Sequence, residues 1–254
     1  MKKGSKVLIP WSGGMDSTYL VNYAIDKGCI VHTAYFEILN NKDKTPHEIE
    51  ARDNMKRFFM NKAESKRTTF IDHGRVASFN MPAISEYGSR TRPVGNFSQT
   101  PLWIMAAAYM ADQYDYVAMG FVMGDKTVSW AKEYAAMFES YKNIKQDVVD
   151  KSRVKLVFPL MKTPKDIIWQ GLPAELKNNL WICENPHKNK DGTHRECGRC
   201  EPCIKHPGHE DMYVWVSKST GPVRFRIKRT TWEKRRIEIV KEVREASRPN
   251  TAKT

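Results

Sequence analysis

Short apolar runs alternate with longer stretches of mixed polarity, and the alternation predicts strands and helices in turn. Val7-Leu8-Ile9-Pro10 reads as a buried strand, and the stretch carrying Leu20, Val21, Tyr23 and Ile25 as an amphipathic helix. Val31 to Phe36 reads as a second strand, the charged stretch His47 to Lys62 as a helix, and Thr68 to Asp72 as a third strand. The alanine-rich segment Pro101 to Gln113 predicts another helix and Tyr116 to Gly120 another strand. Strands separated by crossovers of this length build an α/β fold with a doubly wound, mostly parallel sheet. No internal repeat or low-complexity block interrupts the pattern.

Between the first strand and the first helix lie Ser12-Gly13-Gly14-Met15-Asp16-Ser17. Two glycines let the backbone turn successive N–H groups toward one anion, and the following helix adds its positive end and unpaired donors. Ser12 and Ser17 can donate hydroxyls to phosphate oxygens. Asp16 cannot face a phosphate alone, so it holds Mg²⁺ or fixes the loop. The hexapeptide lacks the Gly-Lys-Ser/Thr ending of a Walker loop and the third glycine of a dinucleotide fingerprint. Ligands of doubly wound sheets bind at the carboxyl ends of the strands, where this loop stands, so adenine is expected against the end of the second strand at Ala34, Tyr35 and Phe36.

Cys183 is followed, after a polar loop, by Cys197-Gly198-Arg199-Cys200-Glu201-Pro202-Cys203. Two overlapping two-residue gaps bring three thiolates around one centre, and Cys183 closes a tetrahedron suited to structural Zn²⁺. An iron–sulfur cluster is a rival reading, and His187, His194, His206 or His209 can replace a thiolate. Disulfides fit less well, because the spacing is that of a metal site and no signal peptide opens the sequence. Cys29, alone before the second strand, reads as a small buried apolar residue.

Ser-Gly-Gly-x-Asp-Ser resembles the pyrophosphate loop of the ATP pyrophosphatases, and the order of features resembles the 7-cyano-7-deazaguanine synthases among them. The matches run from about residue 6 to 206: Ser12 to Ser17, Asn96 before the Pro101 helix, Gly120 with Asp125, Pro159-Leu160 with Lys162 or Lys165, and the four cysteines. The resemblance implies an adenine nucleotide alpha hydrolase-like domain over 1–170, with a zinc-binding segment and basic tail over 171–254. It implies a cofactor set of ATP, Mg²⁺ and Zn²⁺. ATP would be cleaved between its α and β phosphates, and the carboxylate of 7-carboxy-7-deazaguanine adenylated. Ammonia would then give the amide, and a second activation the nitrile. Asp16, Ser17, Lys162 and Lys165 would take catalytic roles, with Arg92 a further candidate for the α-phosphate.

The chain departs from that family in its middle. The family's Arg-Asn pair becomes Gly95-Asn96, leaving Arg90 or Arg92 as substitutes. Its deazapurine-reading element is replaced by Ser129-Trp130-Ala131-Lys132-Glu133-Tyr134. There Trp130 can stack on a flat heterocycle and Glu133 can accept from a guanine-like edge, although the same residues also suit an ordinary helix start. These departures keep open a tRNA acceptor of the thiolating or lysidine-forming kind, and a non-catalytic nucleotide-binding relative.

Charge bears on partners more than on fold. With 254 residues and a formal net charge of +13, the chain favours polyanions such as ATP or nucleic acid. From Arg224 onward the tail is strongly basic, and a helix is expected from about Trp232 to Ala246. Its apolar positions Ile237, Ile239, Val240 and Val243 would suit a homodimer or docking on the chain itself. No apolar run spans a bilayer, so a soluble, cytoplasmic protein is expected.

Overall fold

The computed structural model describes residues 1–38, 44–79, 99–145, 153–189, 191–198, 200, 202–203, 206, 213–217 and 224–228. The chain divides into two compact units, Met1–Ile182 and Cys183–Thr254. Arg90, Arg92, Asn96 and the tail helix expected at 232–246 lie outside the described residues.

The first unit is an α/β domain. Its strands are β1 (Lys6–Pro10), β2 (Ile30–Ile38), β3 (Phe70–Phe79), β4 (Tyr116–Ala118) and β5 (Lys155–Val157). Its helices are α1 (Met15–Asp26), α2 (Thr45–Ser65), α3 (Thr100–Tyr109), α4 (Ala131–Lys145), α5 (Lys165–Gly171) and α6 (Ala174–Lys177). The strands form one sheet in the order β3-β2-β1-β4-β5, and every pairing is parallel. The chain goes outward from β1 to β3, then returns to place β4 on the other side of β1. That reversal opens a crevice beyond the carboxyl ends of β1 and β4.

Alternation along the strands supplies the two faces. Val7 and Ile9 join Val31 beneath α1 and α2, with Leu20, Val21, Ile25, Met55 and Phe59 fully or almost fully buried. Leu8, Ala34 and Phe36 point the other way, onto Ile104 and Ala107 of α3 and Phe138 of α4. Two-sided burial explains why these strands read as continuous apolar runs. Cys29 is completely buried in the first of these clusters, as its sequence context suggests.

Several elements differ in extent from expectation. The third strand runs to Phe79 because two bulges, between partners Thr33/Tyr35 and Tyr35/Phe36, insert extra β3 residues that blur the alternation. The helix expected to reach Gln113 ends at Tyr109 and gives way to a 3₁₀ turn over Ala111–Gln113. The strand expected to reach Gly120 ends at Ala118, because the chain turns at the crevice.

Among its described residues, the second unit holds two short antiparallel pairings. β6 (His187–Lys188) pairs with β7 (His194–Arg195), and β8 (Tyr213–Ser217) with β9 (Arg224–Lys228). Among the described residues, no helix is long and apolar enough to cross a membrane.

Candidate functional site

The β1–α1 turn occupies the crevice. Trp11 N–H donates to the Ala34 carbonyl at 2.9 Å, carrying the β1–β2 ladder one step past Pro10. Gly13 then takes φ +80°, and a Cβ there would stand 3.0 Å from the Glu48 carbonyl oxygen and 3.1 Å from Ala51 Cβ. Glycine is required by both the backbone conformation and the close passage of α2. The Gly13 carbonyl accepts from Trp181 N–H at 3.2 Å, and Gly14 is the N-cap of α1. Met15, expected in the loop, is buried and anchors the first turn.

Ser12 and Ser17 converge across this turn. Their hydroxyls lie 3.4 Å apart, Ser17 Oγ lies 3.3 Å from the Gly14 carbonyl, and Gly14 N–H lies 3.4 Å from Ser12 Oγ. Contacts of this length are weak, so phosphate oxygens can replace them at little cost. Gly120, just past β4, faces the same turn. A Cβ on it would stand 3.1 Å from Ser17 N and 3.2 Å from the Asp16 carbonyl carbon.

Asp16, Asp125 and Lys165 form the charged centre. Lys165 Nζ lies 3.1 Å from Asp16 Oδ2 and 3.4 Å from Asp125 Oδ1, while Asp125 Oδ2 accepts from Val122 N–H at 3.1 Å. Burial pushes the Asp16 carboxyl above its ordinary value; Lys165 opposes the shift and Asp125 adds to it. For Lys165, burial favours the neutral amine, but Asp16 and Asp125 together outweigh it and hold the ammonium charged. Asp16 Oδ1 is buried with no hydrogen-bond partner. A hard carboxylate oxygen left open beside this glycine turn fits Mg²⁺, which takes one or two carboxylates plus substrate phosphates. Of the two lysines the sequence offered, the fold brings Lys165 to this centre and leaves Lys162 exposed.

A second network lies beneath the loop and had not been anticipated from sequence. The guanidinium of Arg52, 2% exposed, sits between the rings of Trp11 and Tyr35, at 5.1 and 5.0 Å. It donates to Asp72 Oδ1, which also accepts from Thr33 Oγ1 at 2.8 Å, while Lys56 reaches Asp72 Oδ2 at 2.9 Å. Burial alone would raise the Asp72 carboxyl; Lys56, Arg52 and Thr33 together overcome it and hold the carboxyl below its ordinary value. A signal for Arg52 was present in the chain. It shares the stripe Ala51, Met55, Phe59 and Ala63 that buries α2, where a charge needs a partner.

The stretch expected to meet adenine is buried, and β2 runs on past Ala34, the last residue paired with β1. The Ala34 carbonyl is already taken by Trp11 N–H. Tyr35 donates its hydroxyl to Glu48 Oε2 at 2.6 Å; burial, then Glu48, pushes its pKa up and keeps the phenol protonated. Trp130 ends a 3₁₀ turn, Lys126–Trp130, that follows Asp125, and is 57% exposed. Glu133 is exposed in the first turn of α4.

In the second unit, the sulfurs of Cys183, Cys197, Cys200 and Cys203 all lie within 4.8 Å of one another. A tetrahedral ion with bonds of about 2.3 Å separates its sulfurs by about 3.8 Å, so the set fits one Zn²⁺. Cys197 N–H points at Cys183 Sγ at 3.2 Å and Cys200 N–H at Cys197 Sγ at 3.3 Å, donors that stabilise thiolate ligands. Gly198 takes φ +63° between two ligands. Hydrogen bonding to Cys197 and Cys200 pushes the Cys183 thiol up, and bonding to Cys183 and Cys197 does the same to Cys203, whereas Cys183 lowers Cys200. Among the described residues, no other cluster of three or more histidine, cysteine or carboxylate ligands converges in this way.

No protein-family model matches the chain, and no curated protein does. Among solved structures, it is similar to the U34-tRNA thiolase NcsA from Methanococcus maripaludis, described with its 4Fe-4S cluster. The identity is 13% and the TM-score 0.37, over 70% of this chain and 57% of that one. It is also similar to a protein from Methanocaldococcus jannaschii described as a predicted subunit of tRNA methyltransferase, at 13% identity and TM-score 0.31, over 76% of this chain and 83% of that one. The chain thus spans little more than half of the thiolase. Both likenesses are weak, and neither bears on the chemistry of the site.

Proposed function

We propose that the first unit is an ATP pyrophosphatase that cuts ATP between its α and β phosphates and hands adenylate to an oxygen of an acceptor. One observation carries this reading. The Ser12–Ser17 turn, with its glycine backbone and paired hydroxyls, stands beside a carboxylate–lysine–carboxylate centre at the reversal point of a parallel sheet.

The loop N–H groups and the two serine hydroxyls bind the departing pyrophosphate, and the α1 N-terminus favours its charge. Asp16 Oδ1 offers the oxygen for Mg²⁺, which when bound neutralises developing phosphate charge. Lys165, held between Asp16 and Asp125, supplies a fixed cation at the reacting end. The backbone of Tyr35 and Phe36 past the end of β1 offers hydrogen bonds to adenine. Products separate this reading from ordinary nucleotide hydrolysis. Purified protein with ATP, Mg²⁺ and an acceptor is expected to release AMP and pyrophosphate; release of ADP and phosphate overturns it.

Two acceptors divide the finer reading. A tRNA suits the +13 charge, and its binding would weaken steeply with salt. The carboxylate of 7-carboxy-7-deazaguanine suits the residue matches at Ser12 to Ser17, Asp125 and the cysteines. Mass spectrometry decides between them after incubation with ATP, ammonium and the small acid, or with ATP, tRNA and either lysine or a sulfide donor: an amide or nitrile identifies the small acid, and a lysine- or sulfur-bearing nucleoside the RNA. In either case the four-cysteine centre, with Zn²⁺, would brace the second unit and leave no open coordination position for chemistry.

A further inference from the structure

A pair of histidines that the proposed reaction does not use lies on adjacent strands of the sheet. His32 of β2 and His73 of β3 bring Nδ1 and Nε2 to 3.0 Å. Their rings meet edge to edge in nearly parallel planes, with centroids 5.2 Å apart and planes 16° apart, and Tyr114 meets His32 edge-on at 5.0 Å. The Tyr114 hydroxyl lies 3.2 Å from the same His73 Nε2 and accepts from Gln113 Nε2 at 3.3 Å.

The backbone sets up this pair. Gly74 takes φ +68° within the first β3 bulge, where His73 and Gly74 are inserted between the partners Thr33/Asp72 and Tyr35/Arg75. Bulges re-aim side chains, and here the result brings His73 to His32 across adjacent strands. We propose that His32 and His73 form a binding site for a borderline transition-metal dication such as Ni²⁺ or Zn²⁺, with water filling the remaining positions.

The spacing carries the proposal. Two imidazole nitrogens bound at 2.0–2.1 Å and separated by 90–109° at the ion stand about 2.8–3.4 Å apart, which includes the distance observed; the facing nitrogens point almost head-on, so each ring turns to aim its lone pair at the shared ion. Imidazole suits Zn²⁺, Ni²⁺ and Cu²⁺. In the metal-free pair, one nitrogen donates to the other. To bind an ion, the donating ring moves that proton to its other nitrogen, so both facing atoms present lone pairs and no proton is released. His32 is disposed to be neutral, first by burial and then by the neighbouring His73 and Lys6. Tyr114, its phenol kept protonated by burial, is placed to hydrogen-bond a water on the ion. Such an ion would tie β2 to β3 and, through that water, to the residue two before β4, so it would bridge both sides of the sheet.

Zinc-supplemented full-length protein, with its cysteines occupied, is titrated with Ni²⁺ by calorimetry alongside His32→Gln, His73→Gln and the control His187→Gln. Wild type and the control are expected to bind one Ni²⁺ per chain, and each of the two site variants to weaken that binding at least about tenfold. Unchanged binding in both site variants overturns the proposal. Should either variant fold poorly, histidine NMR on wild type gives an independent answer. Ni²⁺ should broaden the His32 and His73 ring signals first, and broadening that begins at other histidines overturns it.

Discussion

Lys165 Nζ stands 3.1 Å from Asp16 Oδ2, joining the first turn of α1 to the first turn of α5 across 149 residues of chain. The pair places one cation where the loop and Asp125, in the turn that follows β4, meet. Replacing Lys165 by Met leaves two carboxylates facing each other without their cation. AMP formation is expected to fall by about 10²–10³-fold, the usual loss when a preorganised charge is removed. Activity within threefold of wild type in a folded Lys165→Met protein would remove the role given to this residue.

Asp16 is held in tension with stability. Its carboxyl is raised above the ordinary 3.8, burial being the largest cause. Above 3.8 the unfolded chain gives up this proton first, so stability falls as pH rises from that value to the raised folded value, and the loss persists above it. Asp16→Asn is therefore expected to melt higher than wild type at pH 7, to converge with it below pH 3.8, and to make no AMP. Thermal melts across that range check the sign, and a variant that melts lower at pH 7 contradicts it.

Asp72 works in the opposite direction. Its carboxyl is depressed on balance because Lys56, Arg52 and Thr33 outweigh its burial. The stability it adds is present above its ordinary value near 3.8 and is lost as pH falls through the lower folded value. With Arg52 2% and Asp72 6% exposed, breaking the pair strands a buried guanidinium. Asp72→Asn is expected to cost about 3–5 kcal/mol at pH 7, with the gap to wild type closing in acid. Urea unfolding at several pH values measures both.

Gly120 tests the closeness of the loop to β4. An alanine Cβ would press on the backbone at Ser17 N, 3.1 Å away, rather than on a side chain that can swing aside. Gly120→Ala should fold and yet use ATP about 10- to 100-fold less efficiently, because the turn is displaced from its phosphate geometry. Steady-state kinetics paired with a melt separate this outcome from simple unfolding.

The four sulfurs within 4.8 Å predict one bound metal ion per chain. Elemental analysis of protein purified without chelator should find one zinc, and Cys200→Ser should lower that content. Substitution with Co²⁺ should give the absorption of a tetrahedral thiolate complex. Four iron atoms with inorganic sulfide would instead assign a cluster.

The apolar runs and the glycine turn made the first unit legible early, because a two-sided parallel sheet writes itself as continuous hydrophobic strands. Gly13 announced the tight turn for a local reason: the backbone there takes φ +80°, a conformation that few other residues permit. Trp130 and Glu133 stood out as chemistry-bearing residues, and the fold puts both in solvent-facing positions at the start of α4. The full length of β3 was not legible, since its bulges break the period on which a strand is recognised.

By itself the sequence determined the local devices: strand, glycine turn and helix in immediate succession, and three cysteines at metal spacing with a fourth close by. Only the tertiary structure decided which distant groups meet. Lys165 rather than Lys162 reaches Asp16, Arg52 finds Asp72 beneath the loop, and His32 stands beside His73. The physical reason is the strand order. Contacts within a turn are fixed by a few dihedral angles, whereas these pairs depend on how β3-β2-β1-β4-β5 is laid down, which no short window of residues encodes.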